Sequence, residues 1–316
     1  MWIALLLLFG CLPASAQDAH AQARAALEEG RADDAFALLR PMAQNNPRDA
    51  EAQNLLCRVL LSEDRGDDAV PACERAVSLE PLNAQYQLWL AHATGSKAQH
   101  ASPFTALTIA RHARDHFEAA ARLAPNDWHI LSDLGEYYVE APAIAGGDIE
   151  KARRLLPRLM QSNPSRAHWL AGLIANNGRD YTTAETEYKN AIATGQNVPE
   201  AWVNLAGFYR HRGRLQEAED CVHKVEQTDT AHDAVLVDAA SVLREMKRDN
   251  DLAIHLLRTY LASGNRSEIA PAFAVHNAIG TLLQHNGDRA AANREYVAAL
   301  ALARDYAPAA RSLHSR

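Results

Sequence analysis

The chain has 316 residues, of which 48% are hydrophobic and 22% are charged, and its formal net charge is −7. This share of apolar residues is large enough for an extensive buried core, which excludes a mainly disordered chain. The acidic balance provides no strongly basic domain of the kind that binds nucleic acid, so no nucleic-acid partner is expected.

The first residues have the pattern of a secretory signal peptide. Met1–Phe9 is apolar, and Ala14–Ala16 has the small-x-small order of a cleavage site. The apolar run is shorter than the roughly 20 residues that a membrane-spanning helix needs. We therefore predict a signal peptide over 1–16, a mature chain over 17–316, and a periplasmic or secreted location after cleavage near Ala16.

Two alternatives remain open for this segment. Leu8-Phe9-Gly10-Cys11 is similar to a lipobox, and lipidation at Cys11 would attach the protein to a membrane. The other alternative is a buried first helix. Nothing after Ala16 is apolar for long enough to form a transmembrane helix, so membrane association is expected only if Cys11 is lipidated.

A period of 34 residues runs through the mature chain. Positions 4, 7 and 11 of the period form one apolar stripe on a first helix, and small residues at positions 8 and 20 let a second, antiparallel helix approach closely. The clearest unit, counted from Pro199, has characteristic residues at positions 4, 7, 8, 11, 15 and 20, which are Trp202, Leu205, Ala206, Tyr209, Gly213 and Ala218.

This pattern resembles the tetratricopeptide repeat (TPR), in particular that of exported bacterial TPR proteins. The register recurs along the chain, for example at Gly30 and Ala35 and again at Gly280 and Tyr296. The resemblance implies an all-α, right-handed superhelix, or α-solenoid, of about eight helix pairs with a C-terminal capping helix over 307–316. The predicted pairs cover 16–49, 50–83, 84–127, 128–166, 167–198, 199–232, 233–266 and 273–306.

Two of the predicted units are longer than 34 residues. The third has ten extra residues, which we place between its two helices in Thr94–Thr108, and the fourth has five, in Glu140–Asp148. Pro142 and the Gly146-Gly147 pair indicate a loop in the fourth unit. Asp148 is suited to cap the helix that follows this loop.

Three cysteines remain after removal of the signal peptide. Cys57 and Cys73 fall at positions 8 and 24 of one unit, where both face the seam between its helices. An oxidising compartment favours a disulfide there, which would close a loop of about 15 residues and stabilise the fold by roughly 3 kcal/mol in the chain-entropy model. The alternative is two small buried thiols. Cys221 has no obvious mate in the sequence, and we expect it to be a buried thiol.

No motif for catalysis is found in the sequence. A nucleophile elbow, a P-loop and a dinucleotide fingerprint are all missing, so we expect no enzyme activity and no cofactor. Histidines cluster in the third unit, and His112 and His116 have the i, i+4 spacing of metal ligands. Without an H-E-x-x-H motif or a nearby cysteine pair, we interpret them as surface and seam residues and predict no metal site.

The first helix of each TPR pair lines the concave face of the stack, which is where a partner would bind. Trp169 and Arg210 are the strongest candidate anchors, because interface hot spots favour Trp and Arg. The tentative groove residues are Asn54, Arg58, His92, Glu136, Trp169, Asn177, Arg210, His211, Asp238, Asn277 and Gln284.

The leading hypothesis for function is a non-enzymatic, exported scaffold that binds a protein or peptide of unknown identity in the concave groove. The alternative is a ligand-handling periplasmic accessory subunit, resembling the exported TPR component of some solute transporters. That alternative requires a closed pore or pocket, which the extra residues of the two long units could build.

Overall fold

The computed structural model describes residues 16–229, 231 and 233–314. These ranges contain seventeen α-helices and no β-strand, which confirms the predicted all-α fold. The predicted signal peptide, including Cys11, lies outside the described residues except for Ala16.

The helices form eight successive pairs followed by one short helix, as the repeat pattern predicts. Each helix packs on the next one in the chain, which is the arrangement of an α-solenoid. The first helices are α1 (Ala16–Glu28), α3 (Ala50–Ser62), α5 (Ala84–His100), α7 (Trp128–Glu140), α9 (Pro164–Asn177), α11 (Val198–His211), α13 (Val235–Met246) and α15 (Ala272–His285). The second helices are α2 (Ala32–Asn45), α4 (Gly66–Leu79), α6 (Pro103–Leu123), α8 (Ile149–Ser162), α10 (Tyr181–Ala193), α12 (Leu215–Thr228), α14 (Asn250–Ser263) and α16 (Arg289–Leu302), with α17 (Ala307–His314) as the cap.

Small residues at position 8 explain why paired helices approach so closely. A Cβ atom added to Gly280 in α15 would lie 2.5 Å from Cε1 of Tyr296 in α16. One added to Gly172 in α9 would lie 3.0 Å from Cε1 of Tyr188 in α10. In both pairs the tyrosine ring therefore packs directly on the backbone of the partner helix, and a side chain at the glycine would separate the two helices.

The ten extra residues of the third unit lengthen its helices, and our placement of them between the helices was wrong. Helix α5 has 17 residues and α6 has 21, and only Ala101 and Ser102 separate them. Pro103 occupies the first turn of α6, where a missing backbone N–H breaks no intrahelical hydrogen bond. The third pair consequently extends beyond its neighbours.

The extra residues of the fourth unit form a loop between α7 and α8, as predicted. The loop contains one 3-10 turn, Ala143–Ala145. Asp148 caps α8, because its Oδ1 accepts hydrogen bonds from the backbone N–H groups of Glu150 and Lys151, each at 3.0 Å.

The last helix pair packs against the first. Phe273 at the start of α15 is fully buried in one apolar cluster with Leu27 of α1 and Phe36 of α2. Its ring also meets the ring of Tyr306 edge-on, with 4.8 Å between the centroids. At the turn between α1 and α2, a Cβ atom on Gly30 would lie 2.2 Å from the backbone N of Ala272. The eight pairs therefore form a closed superhelical turn.

Ion pairs cross the same junction. Arg304, after α16, donates from Nε to Oδ2 of Asp33 in α2 at 3.0 Å. Arg58 in α3 donates to both carboxylate oxygens of Glu268, at 2.9 Å from Nε and 2.5 Å from Nη2. Glu268 lies in the segment between α14 and α15, so this bidentate pair holds that segment against the second unit.

We predict that Gly30→Ala destabilises the protein more than the matched Gly287→Ala. Both glycines have positive φ, +70° and +86°, so either substitution costs roughly 1–2 kcal/mol in backbone strain. Gly287 has no neighbour within 4 Å of the new Cβ, whereas at Gly30 the new Cβ overlaps α15 and adds about 1–3 kcal/mol. Urea unfolding of both variants measures the difference, and an equal loss of stability would show that the ends do not touch.

Candidate functional site

The concave side of the superhelix holds a cavity of about 850 Å³ beside the second, third and fourth units. Its walls come from α3, α5, α6 and α7, from the loop after α7, and from the segment before α15. Both long units contribute: Ala106 and Leu107 belong to the third, and Pro142 and Ala145 to the fourth. Apolar side chains dominate the lining, and Ile269 is 76% exposed at its edge.

A row of aromatic rings forms one wall of the cavity. The centroids are 5.7 Å apart between Trp89 and His92, 5.2 Å between His92 and Phe117, and 5.7 Å between Phe117 and Tyr137. The rings come from α5, α6 and α7, so the wall depends on the packing of the two long units. The Tyr137 hydroxyl lies 2.6 Å from the carbonyl oxygen of Ala110, which fixes the last ring of the row.

Arg58, the positively charged residue in the cavity lining, is already paired with Glu268. The Arg58 guanidinium holds Glu268 in the bidentate pair described above and lies 5.0 Å from the ring of Trp89. His92 is paired as well, with its Nε2 3.0 Å from Oδ2 of Asp133.

Two further carboxylates, Glu136 and Glu140, lie one turn apart on α7 and line the same cavity. The Glu136 side chain is exposed to the cavity, and the surrounding walls of the cavity reduce its solvation. This reduced solvation, together with the like charges of Glu140 and Asp133, raises the pKa of Glu136 to about 7, against the smaller opposing effects of Arg166 and His92. Glu136 is therefore about half ionised at neutral pH and carries its full negative charge only at higher pH.

Beyond the cavity, ion pairs connect neighbouring first helices along the concave face. Arg166 of α9 pairs with Glu200 of α11, and Arg210 of α11 pairs with Glu245 of α13. Asp238 of α13 is exposed on this face. Its enclosure by the concave walls and the nearby charge of Glu200 raise the pKa of its carboxyl to about 6.

Three of the predicted groove residues, Arg58, His92 and Glu136, line the cavity together. Two others do not face the groove and correct the prediction. Asn54 is buried, and Trp169 is 9% exposed, with the Arg166 guanidinium 5.1 Å from its ring. Burial removes Trp169 as a binding anchor, because position 5 of the fifth unit packs into the core.

Other predicted residues bond to the scaffold itself. Asn177 donates from Nδ2 to the carbonyl oxygen of Val139 at 3.1 Å. Gln284 accepts from the Tyr296 hydroxyl at 2.8 Å. Asn177 and Gln284 therefore use their polar groups in contacts between helices. Asn277 in α15 is half-buried, and its side-chain oxygen accepts no hydrogen bond from the described residues.

Of the predicted residues on α11, Arg210 is engaged in its ion pair with Glu245, and His211 is exposed. The Arg210 guanidinium also lies 2.8 Å from Nε2 of His211. These two residues lie on the concave face away from the cavity.

Sequence analysis missed Glu268 and Ile269, because residues 267–272 lie between predicted units and belong to no repeat. It also missed Trp89, Phe117 and Tyr137 as a set, since their proximity depends on the lengthened third pair. The aromatic residues themselves are visible in the sequence, but nothing in the repeat register brings them together.

Three residues of types that can bind a metal ion lie close together on the outer side, where the sequence predicts no metal site. Glu219 and His223, four residues apart on α12, come within 4.8 Å of Asp249 through their ligand atoms. Glu219 is 2.9 Å from the Arg248 guanidinium, and Asp249 caps α14 by accepting from the backbone N–H of Leu252. His223 in turn lies 3.9 Å from Glu226, so all three side chains are engaged in other contacts.

Cys57 and Cys73 face each other across the seam of the second unit, with Cα atoms 5.3 Å apart. This separation is within the range that a disulfide requires. Cys221 is buried, and burial raises the pKa of its thiol to about 12.

We predict that Glu136→Gln stabilises the protein above pH 7 and has little effect near pH 5. The raised pKa means that the folded state holds a proton that the unfolded state releases between about pH 4.5 and pH 7. Wild-type stability therefore falls as the pH rises through this window, and Gln removes that loss. Melting temperatures at both pH values measure the gain. Glu74→Gln on the outer helix α4 is the control, and a gain that does not grow with pH would contradict the prediction.

Comparison with known proteins supports the repeat assignment. Models of the tetratricopeptide repeat match residues 26–93 and 177–221. "Cellulose synthase operon protein C" of Pseudomonas fluorescens (strain SBW25) is 26% identical over 223 residues, which cover 66% of this chain but only 16% of that protein.

Two solved structures have a similar fold. A tetratricopeptide repeat protein from Parabacteroides merdae ATCC 43184 matches with a TM-score of 0.50 at 12% identity, covering 84% of this chain and 98% of that one. Yeast Tom70 matches with a TM-score of 0.52 at 15% identity, covering 89% and 57%.

Within the described residues, no helix combines the length and apolar character needed to cross a membrane. The 34-residue register, the eight stacked helix pairs and the two matched repeat regions agree with one another. The chain therefore contains tetratricopeptide repeats in these two regions and folds as a solenoid of stacked helix pairs.

Proposed function

We propose that this TPR protein is an exported, non-enzymatic scaffold that binds a protein or peptide partner on its concave face. TPR arrays are protein-interaction scaffolds, and the concave face is the surface that their stacked first helices share. The observation that carries the proposal is a set of exposed carboxylates on this face: Glu136 lies near Glu140 and Asp133, and Asp238 lies near Glu200.

The charge of this face indicates the chemistry of the partner. The arginines Arg166 and Arg210 are already paired with acidic residues of neighbouring helices. A partner segment with lysine or arginine side chains would therefore complement the carboxylates that remain exposed. We infer that the partner presents a basic segment to the concave face.

The test of this proposal is capture of a partner by the immobilised mature chain from an extract of the cell envelope. We expect Glu136→Lys/Asp238→Lys to reduce the recovery of a specifically bound protein at least tenfold, because the concave face then repels a basic segment. The matched control, Glu74→Lys/Asp220→Lys, makes the same change in net charge on the outer helices α4 and α12. Equal recovery by all three proteins would contradict binding on the concave face.

Export and the oxidation of the Cys57–Cys73 pair are part of the proposal, and one measurement tests both. The full chain is expressed in a Gram-negative host, and the intact mass of the periplasmic protein is determined with and without reductant. We expect a chain that begins at Gln17 and gains the mass of two hydrogens on reduction. A chain that begins at Cys11 with an attached lipid would indicate lipoprotein processing. An uncleaved cytoplasmic protein, or a mass unchanged by reductant, would contradict export or the disulfide respectively.

A second candidate function is that of a ligand-handling accessory subunit. The observation that favours it is the cavity of about 850 Å³, because its lining includes residues of both long units. A repeat array that only presents a groove does not need these extra residues, whereas a pocket does. Closure of the superhelix adds a further wall through Glu268 and Ile269.

A further inference from the structure

The cavity has the size and lining of a small-molecule site. Its volume of about 850 Å³ falls within the range of roughly 300–1,000 Å³ that is usual for ligand pockets. The lining residues, all of them described, come from the second to fourth units and from the segment before α15, and none comes from α9, α11 or α13. The cavity is thus a local chamber, which suits a small ligand better than an extended peptide that follows the whole concave face.

The charge of the lining favours a positively charged ligand. One positive group, Arg58, faces four carboxylates, those of Glu268, Asp133, Glu136 and Glu140, so the formal charges of these lining residues sum to −3 once Glu136 is ionised. The Arg58 charge is taken up by Glu268 in the bidentate pair. Glu136 and Glu140 therefore repel each other within an enclosed space, and a cation between them would relieve that repulsion.

The aromatic wall is a second, independent feature that suits a cation. The ring centroids are 5.2 Å apart between His92 and Phe117 and 5.7 Å apart between Phe117 and Tyr137. Asp133 is hydrogen-bonded to His92. Ring faces attract ammonium groups through their quadrupole, most strongly where water is partly excluded. Apolar side chains such as Leu107 and Ile269 cover the remaining walls and would contact a hydrocarbon body.

We propose that this cavity binds a small amphipathic cation, with its ammonium group held by Glu136 and Glu140 against the aromatic wall and its apolar body lying on Leu107 and Ile269. The proposal rests on the second candidate function, that of a ligand-handling subunit. It shares Glu136 with the scaffold proposal but does not require a protein partner.

The ionisation of Glu136 adds a pH dependence to this binding. The charged and titratable groups around it are Glu140 and Asp133 on α7, His92 on α5, Arg166 on α9 and Tyr188 on α10. Since enclosure and the two neighbouring carboxylates raise the pKa of Glu136 to about 7, a ligand of fixed charge should bind more tightly as the pH rises through this value.

The experiment is calorimetric titration of the full mature chain with three probes of equal chain length below their micelle concentrations: decyltrimethylammonium, decanoate and 1-decanol. We expect decyltrimethylammonium to bind at least about tenfold more tightly than the other two, and more tightly at pH 8 than at pH 6. Because its charge does not titrate, any change with pH must come from the protein.

Two variants test separately whether binding depends on the negative charge of the cavity and on its free volume. Glu136→Gln/Glu140→Gln should weaken binding of the cation about tenfold and leave 1-decanol unchanged, which also shows that the cavity is intact. Ala106→Trp fills the cavity and should abolish binding of all three probes. Glu74→Gln on the outer helix α4 is the matched control and should bind like the wild type.

Equal affinity for the cation and the anion would overturn the proposal, as would cation binding that the double glutamine variant or Ala106→Trp leaves unchanged. A leucine-flanked lysine peptide that displaces the cation and binds more tightly would overturn the choice of a small ligand in favour of a peptide. Binding of 1-decanol as tightly as the cation would overturn this proposal and leave the ligand-handling function in place, whereas a failure of all three probes to bind would contradict both.

Discussion

The contact between the first and last helix pairs holds the concave face in one shape. An open array of eight pairs would present its first helices to solvent along a continuous groove. Here Phe273 is buried with residues of α1 and α2, and Gly30 approaches the backbone of α15 so closely that no side chain fits. Closure therefore brings the two ends of the helix stack into contact. It also places the segment before α15 opposite the second unit.

The cavity follows from this closure together with the two long units. Helix α3, the lengthened α5 and α6, and α7 with the loop after it form the walls of the cavity, and Glu268 and Ile269 add a further wall. The arginines Arg166 and Arg210 of the concave face are paired with acidic residues of neighbouring helices. The carboxyl groups of Glu136 and Asp238 remain on this face, where reduced solvation and nearby like charges raise their pKa values. The same arrangement is the basis of the proposed preference for basic partner segments and for cations.

The fold could be predicted from the sequence because the residues that define each repeat lie close together in the chain. Positions such as Gly280 and Tyr296 determine how one helix packs on the next, and they need no information from distant units. The site could be predicted only in part: Arg58, His92 and Glu136 follow from the helical register, whereas Glu268 reaches Arg58 from 210 residues away. Trp169 satisfies the register but is buried, because exposure on the concave face depends on curvature that the repeat alone does not specify.

Closure of the superhelix is tested most directly by intramolecular cross-linking across the junction. Asp33→Cys/Arg304→Cys, in a Cys221→Ser background, is treated with a short bismaleimide, and the monomer mass shows whether one reagent bridges both thiols. Because the backbone N of Arg304 lies 3.3 Å from the Asp33 carboxylate, the account predicts a single bridging reagent in nearly all molecules. Two separate adducts per chain, as expected for the distant pair Arg153→Cys/Arg304→Cys, would show that the superhelix is open.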